Sequence, residues 1–234
     1  MFDKFCNRMI KVLSVCIIML YCIFLYMDFF KIQHIISTNV IKFICIIMCF
    51  IISTLTRNNA IHKRDLYLLQ IGLFATIMAD YFLLMLNGYY IWGIGLFCVV
   101  QITYSLRYNI GDSRLLIMKF IIIFLIILLA YIFINNFIMK VEFLFVLALF
   151  YAICLWVSLI KSIEAYRYKK YPNPSRWMIV LGMLLFLLCD INVALYNIIG
   201  IIFPSDGYLN LLYNVSSISM WLFYLPSQVL LSLS

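Results

Sequence analysis

The chain has 234 residues, of which 67% are hydrophobic and 11% charged, with 17 Lys and Arg against 9 Asp and Glu. A soluble domain of this length keeps about a quarter of its residues charged so that its surface can face water. A mean hydropathy of +1.12 therefore excludes an ordinary water-soluble fold. The net charge of +8 invites nucleic acid as a partner, but the places where the charges fall argue against it.

In chain order, the apolar residues form eight blocks of roughly twenty, the length a helix needs to cross a hydrocarbon core about 30 Å thick. They lie near 9–30, 35–56, 65–87, 89–106, 115–135, 141–163, 177–200 and 209–232. Backbone groups in lipid must be satisfied within their own segment, and these blocks lack the alternation of a barrel strand, so the spacing predicts helices. The expected fold is all-α: one domain over 1–234, a bundle of eight transmembrane helices. The first block follows Lys4, Arg8 and Lys11 as a signal peptide would. No small-residue cleavage site follows it, so it reads as a retained anchor helix.

The gaps carry most of the charge. In an eight-helix arrangement Lys4, Arg8, Lys11, Arg57, Lys63, Arg64, Arg107, Arg114, Lys161, Arg167, Lys169, Lys170 and Arg176 share one side, while the opposite loops hold little beyond Lys31 and Lys140. This positive-inside bias puts both termini in the cytoplasm and sets the basic face against anionic lipid rather than a polynucleotide. Lys42 and Lys119, near helix ends, are expected to snorkel. The longest connection is Lys161 to Arg176, where Pro172 and Pro174 stop the sixth helix. The eight cysteines lie almost wholly inside apolar blocks with no C-x-x-C pair, as packing thiols do. With only His34 and His62, no zinc-ligand spacing appears and no metal is expected.

Of the nine acidic residues, seven (Asp3, Asp28, Asp65, Asp112, Glu142, Glu164, Asp206) lie in tails, loops or helix ends, and Asp80 and Asp190 alone lie well inside apolar blocks. An Asp at a helix centre costs about 2.5–3.5 kcal/mol on insertion scales and is a functional hypothesis by default. Counted from Arg64 and Arg176 at 1.5 Å per residue, the two carboxylates sit roughly 24 and 21 Å along their helices, at one level. An internal echo surrounds them. Gly72, Asp80 and Asn87 are spaced as Gly182, Asp190 and Asn197 are. The offset is four helices, which would make two parallel four-helix halves with polar groups at their interface. Thr76, Asp80 and Asn87 form a narrow polar stripe, as do Asp190 and Asn197; block four adds Gln101, Tyr104 and Tyr108, and block eight adds Tyr213, Asn214, Ser217, Trp221, Tyr224 and Gln228, with Pro226 expected to bend its last turns. Four such stripes would enclose one polar pocket.

Read together, Asp80-Tyr-Phe-Leu-Leu, Gly93-Ile-Gly-Leu-Phe97 through Gln101 and Tyr104, Gly182-Met-Leu-Leu-Phe186 through Cys189-Asp190-Ile-Asn-Val-Ala194-Leu195, and Tyr224-Leu-Pro-Ser-Gln228 resemble the YhhN-like lysoplasmalogenase family. The resemblance implies an integral-membrane hydrolase that cleaves the vinyl ether bond of lysoplasmalogens to a fatty aldehyde and a glycerophospho-base. It implies Asp80 and Asp190 as the catalytic pair. From the polar stripes, Asn87, Gln101, Tyr104, Asn197, Tyr224 and Gln228 are the expected supporting or substrate-binding residues. Two positions depart from the family: Gln101 stands where His is usual, and Cys189 where Ser is usual. Gln cannot shuttle a proton near neutrality. The expected partners are a lysophospholipid and the bilayer, with no nucleic acid, and the chemistry calls for no cofactor. A composition rich in Ile, Asn, Lys and Tyr points to a bacterial plasma membrane. Two other readings remain: a transporter or lipid-binding protein whose carboxylates bind protons or a cationic headgroup, and a structural protein with two hydrogen-bonded acids.

Overall fold

The computed structural model describes residues 2–31, 37–56, 63–86, 88–202 and 207–234. Those residues contain no strand and form eight α-helices: α1 (Phe2–Phe30), α2 (Thr38–Leu55), α3 (Lys63–Asp80), α4 (Tyr90–Tyr108), α5 (Ser113–Phe137), α6 (Phe143–Arg167), α7 (Ser175–Ile202) and α8 (Gly207–Leu233). A π-helical turn, Tyr81–Met85, continues α3 directly after Asp80. Six of the helices, α1, α2, α3 with its π turn, α5, α6 and α7, are long and apolar enough to cross a membrane. The helix α4 falls short because it carries Gln101, Thr103, Ser105 and Arg107, all of which it buries. The chain is a membrane protein.

The boundaries follow local chemistry. Ser37 caps α2 by accepting from the Asn39 amide, and Asp112 caps α5 by accepting from the Arg114 amide at 2.8 Å. The sixth helix extends past its apolar block to Arg167, with Lys161 and Glu164 paired at 2.6 Å on the added turn. It ends with Lys169 in the left-handed region, φ 53°, where the Lys170 amide donates to Ala165 O and the Lys169 amide to Tyr166 O. That double closure satisfies the last carbonyls of the helix. Gly88, at φ +90°, supplies the turn between the π segment and α4 that a side chain would resist.

Packing sorts the helices into two compact units, one of Met1–Asn58 with Trp177–Ser234 and one of Asn59–Arg176. The grouping is not the chain-order halves expected from the echo: one unit holds α1, α2, α7 and α8, the other α3 to α6. In the second unit α4 is central, packing on α3, α5 and α6, and Cys98, Leu116, Phe120, Phe150 and Cys154 form a shared core of α4, α5 and α6. In the first unit α1, α2 and α8 pack against one another around Ile17, Phe24, Cys45, Ile46 and Cys49. All eight cysteines are free thiols, and six of them are buried.

Candidate functional site

Within the α3–α6 unit, Thr76 and Asp80 lie one turn apart on the buried face of α3, and Asp80 is 4% exposed. The face closes on α4 because Gly72 has no side chain there: a Cβ would stand 2.5 Å from the Tyr104 ring, and one at Gly93 would stand 2.5 Å from Leu83. These two antiparallel contacts set the register and put Asp80 level with Leu96 of α4. The π turn follows at once, and the inserted residue re-aims every side chain beyond Asp80. Such insertions occur often at functional sites. Thr76 spends its own proton on the Gly72 carbonyl at 3.0 Å.

Gln101, fully buried on α4, lies about one and a half turns toward the Arg107 end of that helix from the level of Asp80. Ser158 of α6 donates to Gln101 Oε1 at 2.6 Å, while Gln101 Nε2 meets no partner among the described residues. Tyr104, also fully buried, stacks on Tyr108 at 6.1 Å. The expected supporting residues Gln101 and Tyr104 are therefore interior groups of the unit that holds Asp80. Asn87 lies outside the described residues, as do His34, His62, Arg57 and Asp206.

The α1–α2–α7–α8 unit holds Asp190, which is half-buried on α7. Here Gly182 takes the role of Gly72: a Cβ on it would stand 2.9 Å from Leu231 of α8. The helix pair is further fixed by Phe186 edge-on to Tyr224 at 5.7 Å and by Tyr196 stacked on Tyr213 at 4.3 Å, whose hydroxyl donates to that of Tyr196. This register puts Trp221 level with Asp190. Tyr224 and Gln228 are buried, and neither amide atom of Gln228 meets a partner among the described residues. A buried amide left that way costs about 1–3 kcal/mol, so Gln228 and Gln101 are polar groups with capacity to spare. Asn197 departs from expectation. It is exposed and donates to the Val193 carbonyl one turn back, because its position on α7 turns it away from the α8 contact.

Two charged clusters form only when the helices come together. Lys42 does not snorkel; it is 6% exposed and pairs with Asp28 of α1 at 2.7 Å, because α2 packs this face against α1 and α8. Arg107, expected among the charges outside the apolar blocks, is 2% exposed and grips Asp65 of α3 through Nε and Nη2, each at 3.1 Å. Tyr171 donates to Asp65 at 2.6 Å, and Lys170 donates to the carbonyls of Arg107 and Asn109. Fork-to-carboxylate geometry of this kind is the strong form of ion pair. The signal available in sequence was a lone acid in an apolar block's first turn, which has no visible partner until the helices are placed.

The family model described as the YhhN family matches residues 37–234. No curated protein and no solved structure matches the chain. The chain belongs to the YhhN family.

Proposed function

From that membership we propose that the protein is a lipid hydrolase that cleaves the vinyl ether bond of lysoplasmalogens, with Asp80 and Asp190 as its acid and base. The observation that carries the reading is Asp80, a carboxylate buried inside a helix apolar enough to cross a membrane and set at the start of a π turn. Asp190 follows Gly182 at the spacing by which Asp80 follows Gly72, and it lies half-buried inside α7, another helix apolar enough to cross a membrane.

The reaction needs little more than two carboxylates and water. A protonated Asp delivers its proton to the alkenyl carbon β to the ether oxygen, and the resulting oxocarbenium ion is stabilised by the second, ionised Asp. That second group takes a proton from water as the water adds to the cation, giving a hemiacetal that collapses to fatty aldehyde and glycerol hydroxyl. The division of labour is that of paired carboxylates in glycoside hydrolysis. Gln101 holds no titratable proton, so in this scheme it orients water or a substrate hydroxyl through its spare amide group. Tyr104, Tyr224 and Gln228 would line the polar side of the substrate, with Asn87 and Asn197 as further supporting groups. The protein would work in a bacterial plasma membrane, both termini cytoplasmic, with a lysophospholipid as its substrate and the bilayer as its solvent.

The test is aldehyde release from a lysoplasmalogen by the purified protein. Asp80→Asn and Asp190→Asn are each expected to lower kcat by about 100-fold or more. The double variant should lose little beyond the worse single one, because groups that act in one step are not additive. Wild-type turnover that survives both substitutions would overturn the assigned roles.

A further inference from the structure

The α1–α2–α8 layer contains a charged site that the hydrolysis scheme does not use. Lys42 Nζ sits 2.7 Å from Asp28 Oδ2, with side-chain exposures of 7% and 19%. It also lies 4.7 Å from the Trp221 ring centroid and 5.6 Å from that of Phe24, and these two rings meet edge to face at 5.9 Å. Taking an ammonium and a carboxylate out of water costs several kcal/mol per ion, and apolar residues of similar volume hold helices together as well or better. Fastening a helical hairpin therefore does not require the pair.

The arrangement has a chemical complement. A phospho-base headgroup carries a phosphate anion and an ammonium cation a few bonds apart. The phosphate suits Lys42, and the base's ammonium suits the Asp28 carboxylate 2.7 Å from Lys42 Nζ, beside two rings that already stand at cation–π distance from the Lys42 ammonium. Asp28, the more exposed partner, gives the approach.

Position agrees with chemistry. Trp221 contacts Tyr224 at 5.3 Å, and Tyr224 contacts Phe186, which lies one turn before Asp190 on α7. The aromatic ladder thus runs from the ion pair to the helix turn of one proposed catalytic acid, entirely within one compact unit. We propose that Asp28 and Lys42, with the faces of Trp221 and Phe24, form the binding site for a zwitterionic phospho-base headgroup, the phosphate taking Lys42 and the base's ammonium taking Asp28. As a statement about substrate it rests on the hydrolase reading; as a statement about binding it does not.

The experiment measures equilibrium binding to the purified full chain in nanodiscs, without turnover, of three probes sharing one fluorescent acyl chain: lysophosphatidylethanolamine, lysophosphatidic acid and monoacylglycerol. The zwitterionic probe is expected to bind about tenfold or more tighter than the other two, the size of one charge-assisted hydrogen bond. Asp28→Asn should remove its advantage over lysophosphatidic acid, Lys42→Gln its advantage over monoacylglycerol, and Lys42→Arg should keep both. Equal wild-type affinity for all three probes overturns the site even if no variant folds, and so does discrimination that folded Asp28→Asn and Lys42→Gln proteins retain. Vinyl ether cleavage without headgroup discrimination sinks this site alone; discrimination without cleavage sinks the hydrolase reading alone.

Discussion

The hydroxyl of Tyr171 gives its proton to Asp65 at 2.6 Å, beside the guanidinium that already holds that carboxylate. Burial first, and then the Asp65 charge, push the phenol above its usual value of 10, because a phenolate there would lose its hydration and face a like charge. The unfolded chain therefore releases this proton before the folded one does. Tyr171 contributes stability that is complete below about pH 10 and is lost as pH rises further. Lys170 works in the opposite sense: burial lowers its ammonium pKa, so its contribution grows as pH rises toward the ordinary value of 10.5. The unfolding midpoint of the detergent-purified protein should fall above pH 10. Tyr171→Phe, less stable at neutrality for want of the hydrogen bond, should show a flatter alkaline limb. An equally steep fall in that variant would assign the effect to another group.

Each helix that carries a candidate acid also carries a break in its regular ladder or rests on one. The π turn after Asp80 is the first. The second is Pro226 inside α8, which has no N–H for the carbonyl of Leu222 four residues back. Tyr21 of α1 supplies the missing donor, its hydroxyl lying 2.9 Å from Leu222 O. In an apolar layer that carbonyl has no water to turn to. Tyr21→Phe should therefore cost about 1–2 kcal/mol in an SDS unfolding titration. In a Pro226→Ala background, where the new amide takes the carbonyl, the same change should be nearly neutral, and a double-mutant cycle reads the difference. Additive losses would mean that the hydroxyl stabilises the fold by another route.

Over the whole molecule, the helices divide by what surrounds them. The α5 helix exposes Ile121, Ile122, Leu125, Ile126 and Leu129 and buries only Leu116 and Phe120, so its surroundings are acyl chains. At the centre of its unit, α4 buries ten residues, Gln101, Thr103, Ser105 and Arg107 among them. A helix shielded from lipid can carry polar side chains that a lipid-facing one cannot. A carbene probe dissolved in the bilayer should accordingly label α5 heavily and the Gln101–Tyr108 stretch of α4 scarcely at all. Comparable labelling of that stretch would show that α4 faces lipid and that its polar groups need another account.

What the sequence by itself determined is the set of helices and the buried acid. Bilayer thickness and the demand for satisfied backbone groups act on each segment alone, so the apolar blocks near 65–87 and 177–200 became α3 with its π turn and α7 within a few residues. A lone Asp80 in such a run was already out of place without any neighbour being known. The likeness to the YhhN family was legible in the same way, and the family model matches residues 37–234. Only the tertiary structure decided who meets whom. Asp65 and Arg107 are 42 positions apart, and Asp28 and Lys42 sit on different helices, so nothing in either local pattern ranks one partner above another. It also turned Asn197 outward and grouped α1 and α2 with α7 and α8. Those outcomes depend on how close-packed side chains interlock, as Gly72 does with Tyr104, and that is a property of surfaces brought together rather than of any one helix.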